Sequence, residues 1–267
     1  MKKTTILLAT LALFACKQSP KNEKNNTSET ITEAMEESHY PEQMMKVFEA
    51  HGGVQLWKQQ RTLSFVLPKP NQPETHTIDL WSRKDRIDMG TNSIGFDGQQ
   101  VWLLDPDGTY KGDPVFYHNL MFYFYAMPFV FADDGIMYSA TEDLEFEGKM
   151  YPGLKIAYKT GVGASSNDEY YIHFDPDTQQ MAWLGYTVTY RSGEKSDNVR
   201  WIRYHDWQRI NGVLLPKAIT WHKYEGRTIL EPQSTVGFEE VSLDTNPKED
   251  SFYAKPSGAN FVPLKVQ

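Results

Sequence analysis

The 267-residue sequence predicts a mainly β fold with few helices (α+β): one large curved antiparallel sheet with helices packed on its concave side. Three observations predict it. Short strand-like segments follow one another with turn residues between them, at roughly 62–67, 74–81, 84–90, 99–104, 142–147, 153–159, 168–175, 180–191, 198–207, 213–225 and 234–243. Alternation is plain in Tyr170/Ile172/Phe174 and Ala182/Leu184/Tyr186/Val188/Tyr190, which sets an apolar face against a polar one. No βαβ rhythm, glycine-rich phosphate loop or fixed-period repeat appears, which argues against parallel doubly wound sheets and propellers.

The first residues read as a leader. Lys2 and Lys3 precede an apolar run from Ile6 that is too short to span a bilayer permanently, so residues 1–15 read as a secretory signal. Leu13-Phe14-Ala15-Cys16 resembles the bacterial lipobox, in which the peptide is cut before the cysteine and that cysteine, here Cys16, carries the lipids. Cys16 is the single cysteine, which excludes an intrachain disulfide and a cysteine-clustered metal site. Residues 16–40 lack aromatics before Tyr40 and are rich in Asn, Ser, Thr, Glu and Lys; they read as a leash with a span of roughly 25 Å. The net charge of −8 argues against a nucleic-acid surface and keeps the body off anionic headgroups. Lys17 is not the aspartate of inner-membrane retention, so the expected site is the outer membrane, facing the periplasm.

From residue 41 the chain reads as one domain to residue 267. Met44, Val47, Phe48 and His51 recur at helical spacing behind Pro41, with Gly52-Gly53 as the stop. A second short turn over 54–60 adds Leu56 and Trp57 to an apolar face. Residues 113–134 (DPVFYHNLMFYFYAMPFVFADD) break the strand pattern with eight Phe or Tyr. A single helix is expected over 115–127, capped by Asp113, opened by Pro114 and stopped or kinked by Pro128. His118, Asn119 and Pro128 argue against a membrane span.

Motifs along this order match a known group. They are Ala50-His51-Gly52-Gly53, Phe96-Asp97-Gly98-Gln99-Gln100-Val101-Trp102, Met127-Pro128-Phe129-Val130, Asp175-Pro176-Asp177-Thr178 and Asn211-Gly212-Val213-Leu214-Leu215-Pro216. The chain resembles a family of uncharacterised lipoproteins from flavobacteria and relatives. It is similar, more distantly, to the outer-membrane lipoprotein-sorting superfamily of LolA, LolB and LppX. The resemblance implies an unclosed half-barrel, lidded by helices over an apolar cavity that in the superfamily holds acyl chains.

No chemistry-bearing motif accompanies this. The seven histidines (His39, His51, His76, His118, His173, His205 and His222) form no HxH or HExxH pair, so structural roles are expected and no metal or cofactor is assigned. Asp133-Asp134, Glu36-Glu37 and Glu239-Glu240 read as solvated charge. In 198–207, Trp201, Arg203, His205 and Trp207 share one face, explained by cation–π packing on the outside of the sheet. The aromatic segment has two readings, core packing and cavity lining. The candidate cavity-lining residues are Trp57, Trp102, Phe116, Phe122, Phe124, Tyr125, Phe129 and Phe131. The expectation is a non-enzymatic monomer, anchored through Cys16, that holds a lipid or lipoprotein acyl chain. The alternatives are a protein–protein interaction module with a filled core and, behind it, a hydrolase.

Overall fold

The computed structural model describes residues 40–158, 167–190 and 193–263. The expected leader, the expected lipidation site Cys16 and the expected leash up to residue 39 lie outside the described residues.

Helix α1 (Glu42–Ala50) buries Met44, Val47 and Phe48, the stripe its spacing dictates. It ends at Gly52 and Gly53, whose φ values of 109° and 86° favour glycine. A Cβ on Gly52 would also stand 2.5 Å from the Gly212 carbonyl oxygen, so the turn is pressed against a distant hairpin. Helix α2 (Val54–Gln59) buries Trp57. A meander follows: β1 (Thr62–Leu67), β2 (Glu74–Asp79), β3 (Asp85–Met89), β4 (Asn92–Phe96) and β5 (Val101–Leu104).

The aromatic segment is not one helix. It forms α3 (Pro114–Tyr117), α4 (Leu120–Tyr125) and a 3-10 turn over Phe129–Ala132. Asp113 caps α3 as expected, its carboxylate accepting the amides of Val115 at 3.1 Å and Phe116 at 3.4 Å. The helix breaks at Asn119 (φ −114°), immediately after two side chains anchored to the sheet. Tyr117 donates to Glu74 on β2 at 2.5 Å, and His118 Nδ1 meets Asp85 on β3 at 2.6 Å. Those tethers hold α3 where a continuous helix would carry it away.

The second half of the chain supplies β6 (Ile136–Ala140), β7 (Leu144–Phe146), β8 (Lys149–Tyr151), β9 (Gly153–Tyr158), β10 (Glu169–Phe174), β11 (Met181–Tyr186), β12 (Arg200–Ile210), β13 (Val213–Glu225), β14 (Thr228–Gly237) and β15 (Glu239–Asp244). Helix α5 (Asp250–Tyr253) and β16 (Asn260–Phe261) close it. The strands are antiparallel and fall into two seven-stranded sheets instead of one. The first is ordered β15-β1-β2-β3-β4-β5-β16, the second β14-β13-β12-β11-β10-β9-β6, and β7–β8 is a separate hairpin. Phe238 joins them. It sits between β14 and β15, its amide donating to Lys217 at 2.7 Å and its ring turned inward, 4.2 Å from Tyr125 and 5.5 Å from Phe65. The sheets are not closed into a barrel.

The main core draws on α1, α2, the aromatic segment and the inner faces of both sheets. Phe124 packs edge-on against Tyr186 and Trp221 of the second sheet, while Tyr125 meets Phe65 of the first. Burying each such ring contributes roughly 1.5–3 kcal/mol, so this segment is a main source of cohesion between the sheets. A smaller cluster on the outer face of the second sheet, around Trp183 and Trp201, is covered by the β7–β8 hairpin, and β11 is consequently buried on both faces. Arg203 lies over Tyr151 and Trp183 there, the cation–π packing expected. Trp207 departs from the expectation. Register shifts at Tyr204/Asp206 and Asp206/Trp207 turn it inward, 4.5 Å from the His51 ring.

An apolar cavity between the aromatic segment and two strands

The concave face is largely filled. Phe122, Tyr125, Phe129 and Phe131 are all buried in the main core. A void of about 160 Å³ lies where α3 and α4 face β9 and β10. Val115, Phe116, Leu120, Phe124 and Met127 form its apolar side. Tyr158 and Tyr170 form the facing side, brought together because Tyr170 pairs across the ladder with Ile156, two residues from Tyr158. Their rings meet edge-on at 5.7 Å. Tyr190 closes a third side against Phe116 at 4.9 Å. Asn119, Tyr123, Asp133, Asp134 and Asp168 complete the lining.

The electrostatics follow from burial. Burial pushes the Asp133 carboxyl above its ordinary range, and Arg83, donating to both of its oxygens at 2.6 and 2.7 Å, opposes that shift without cancelling it. Burial likewise raises Asp168, whose carboxylate accepts the Thr189 amide and hydroxyl at 2.7 Å each. Tyr158 and Tyr170 are pushed up by burial first and by neighbouring tyrosines and carboxylates second, so both phenols stay neutral.

The expected cavity-lining residues separate into four groups. Phe116 and Phe124 line the void. Phe122, Tyr125 and Phe131 are core instead, Phe131 standing behind Tyr170 at 5.9 Å. Trp57 and Phe129 stack at 4.8 Å and border a shallower recess of about 280 Å³, shared with Lys58, Trp81 and Arg83. Trp102 faces the other way. Val101 and Leu103 take the inner side of β5, which leaves Trp102 on the outer face, its indole N–H donating to Tyr253 of α5 at 2.9 Å. Sequence reasoning passed over Tyr123, Tyr158, Asp168 and the cavity-facing role of Tyr170; the alternation of Tyr170 with Ile172 and Phe174 was the available signal.

The histidines hold the scaffold. His51 Nε2 accepts the Met181 amide at 3.0 Å and Nδ1 donates to the Leu214 carbonyl at 3.2 Å, which ties α1 to β11 and β13. His173 bonds the Tyr151 carbonyl and His222 the Leu230 carbonyl. Glu74 gathers Lys69, His76 and Tyr117; burial pushes its carboxyl up, but those hydrogen bonds outweigh it and hold it at about 2. Among the described residues, no group of three or more His, Cys, Asp or Glu side chains is placed to hold a metal ion. None of their helices is long and apolar enough to cross a membrane.

A family of unknown function (DUF6503) matches residues 112–236, the stretch from the aromatic segment to the end of β14. No curated protein matches the sequence. Among solved structures, the chain is similar to a DUF1329 family protein from Desulfovibrio piger ATCC 29098, with TM-score 0.47, 10% identity, and 78% of this chain and 95% of that one covered. It is also similar to the LolA superfamily protein NE2245 from Nitrosomonas europaea, with TM-score 0.46, 8% identity, and 78% and 96% covered. The likeness to the LolA superfamily is distant.

Proposed function

We propose that this chain is a non-enzymatic binding protein of the bacterial envelope that receives an apolar chain, from a lipid or an acylated protein, in the cavity beneath α3 and α4. In this reading residues 1–15 are removed, Cys16 carries the anchor, residues 16–40 form the tether, and the monomeric body from residue 41 faces the periplasm from the outer membrane. The observation that carries it is the void between Phe116, Leu120, Phe124, Met127 and Tyr170. Its volume decides how much ligand enters. A cavity of about 150 Å³ accepts a benzene ring, so this one takes the end of an acyl chain and not its whole length. A full chain requires α3 and α4 to move outward.

The test is organic extraction and mass spectrometry of the purified protein, beside a Leu120→Trp variant that fills the void. Co-purified acyl species, depleted in the variant, support the reading; their absence from the parent protein sinks it. An interaction module is the second reading, favoured by Trp81, which is 63% exposed and stacked on Arg61 at 4.1 Å. It predicts that Trp81→Ala removes the interaction with an envelope partner while Leu120→Trp leaves it intact.

A further inference from the structure

The cavity's lining is unlike a plain acyl slot in its charge. Asp133, Asp134 and Asp168 lie on it, and no Lys, Arg or His lines it among the described residues. Among the described residues, only Asp133 of the three is ion-paired, to Arg83. Asp168 is held by the neutral donors of Thr189, which orient the carboxylate and leave its charge in place. An uncompensated carboxylate at the edge of an apolar void is costly, and a cation entering beside it recovers part of that cost. An incoming anion meets like charge instead, which discriminates against it.

The rings point the same way. Tyr123, Tyr158, Tyr170 and Phe116 surround the void with aromatic surface, and a positive group among several rings is attracted by their quadrupoles. Among the described residues, the hydroxyls of Tyr123, Tyr158 and Tyr170 have no hydrogen-bond partner, so they are free to accept from a ligand's N–H or from its water. Leu120, Phe124 and Met127 leave an apolar wall beside this group for a hydrocarbon chain.

We propose that the cavity selects cationic amphiphiles: an ammonium head caged by Tyr158, Tyr170 and Tyr123 and countered by Asp134 and Asp168, with the few methylenes next to it against Leu120, Phe124 and Met127 and the rest of the chain outside the void. This inference rests on the reading of the cavity as a binding site and adds the sign of the ligand's charge.

The experiment is calorimetric titration of the full chain carrying Cys16→Ser, which keeps an attached acyl group from competing, with octyltrimethylammonium, octanol and octanoate at low salt. The ammonium binds at least tenfold more tightly than octanoate and more tightly than octanol. Asp134→Asn with Asp168→Asn lowers ammonium affinity about tenfold and leaves octanol unchanged. Because Asp168 also anchors Thr189, the exposed Asp134→Asn alone serves as the fold-neutral variant, with a loss of about threefold. Equal binding of octanoate and the ammonium, or an Asp134→Asn protein with unchanged selectivity, overturns the charge preference while the cavity stands. Failure of all three probes to bind overturns the cavity as a binding site and the preference with it.

Discussion

The His51 imidazole accepts the Met181 amide proton at 3.0 Å, an end-of-helix residue closing on a strand 130 positions away. With Nδ1 donating to Leu214, the ring is neutral and fully used. Burial holds His51 at about 4, and His173, buried against the Tyr151 carbonyl, also at about 4. Both folded values lie below the unfolded value of about 6.5, so the unfolded chain takes up the protons first. Their contribution is complete above pH 6.5 and is lost as pH falls toward 4, at most about 3 kcal/mol for each ring. Urea midpoints at pH 7.5 and 4.5 measure it. His51→Gln and His173→Gln should each flatten the acid-side slope; unchanged slopes in both variants contradict the assignment.

Asp85 and His118 form the second buried pair, at 2.6 Å with side chains 3% and 11% exposed. Burial pushes Asp85 up to about 6 against the pull of His118. Removing the imidazole by His118→Leu leaves a buried carboxylate without its partner, a loss of about 3 kcal/mol at pH 7. For a carboxyl raised above its unfolded pKa, stability is greatest when both states are protonated and is lost as pH rises through about 6. The deficit of the variant relative to the parent should therefore shrink between pH 7 and pH 5, since His51 and His173 cost both proteins alike over that range. A variant equally destabilised at both values would show that Asp85 is not the responsible group.

Gly95 faces Trp102 across the first sheet, where a Cβ would stand 2.3 Å from the indole ring and 2.7 Å from the Asp85 carbonyl oxygen. Backbone lies on one side and a fully buried ring hydrogen-bonded to Tyr253 on the other, so neither neighbour yields cheaply. Gly95→Ala should cost about 1–3 kcal/mol by overpacking. Thermal denaturation measures it, and Gly237→Ala, likewise on a strand but with nothing nearer to its Cβ than the Lys217 carbonyl oxygen at 3.9 Å, separates the clash from the ordinary cost of altering a strand glycine. Equal losses in the two variants would remove Trp102 from the explanation.

What the sequence disclosed was local. The Asp113 cap with Pro114, the buried stripe of α1, and the alternation of β10 are each set by neighbours within a few positions, and each is found where the residues indicate. The features it concealed depend on partners far along the chain. The break at Asn119 follows from Glu74 and Asp85, which hold Tyr117 and His118 from another sheet segment. Trp207 turns inward because β12 carries two register shifts against β13, and the division into two sheets rests on the inward turn of Phe238. In the site, Phe116 and Phe124 were legible as aromatic wall. Tyr158, Asp168 and Tyr170 become its other wall only once β9, β10 and α4 are placed together. Trp102 went astray because nothing in the β5 sequence announces that α5 covers its outer face.

Phe122 and Phe124, two residues apart on α4, separate core from cavity. Phe122 is 2% exposed, with the Arg83 guanidinium 5.0 Å from its ring, and does not border the void. Phe124 borders the void while packing on Tyr186 and Trp221. Truncating either to Ala should cost about 3–5 kcal/mol in unfolding free energy, since each removes a buried ring. Only Phe124→Ala joins its new space to the existing cavity, so it alone should change the length of acyl species extracted with the protein, toward longer chains. Phe122→Ala should leave that profile at parent values in whatever fraction stays folded. Equal shifts of the extracted species in the two variants would place the ligand elsewhere, and no shift in either would return Phe124 to the role of a core ring.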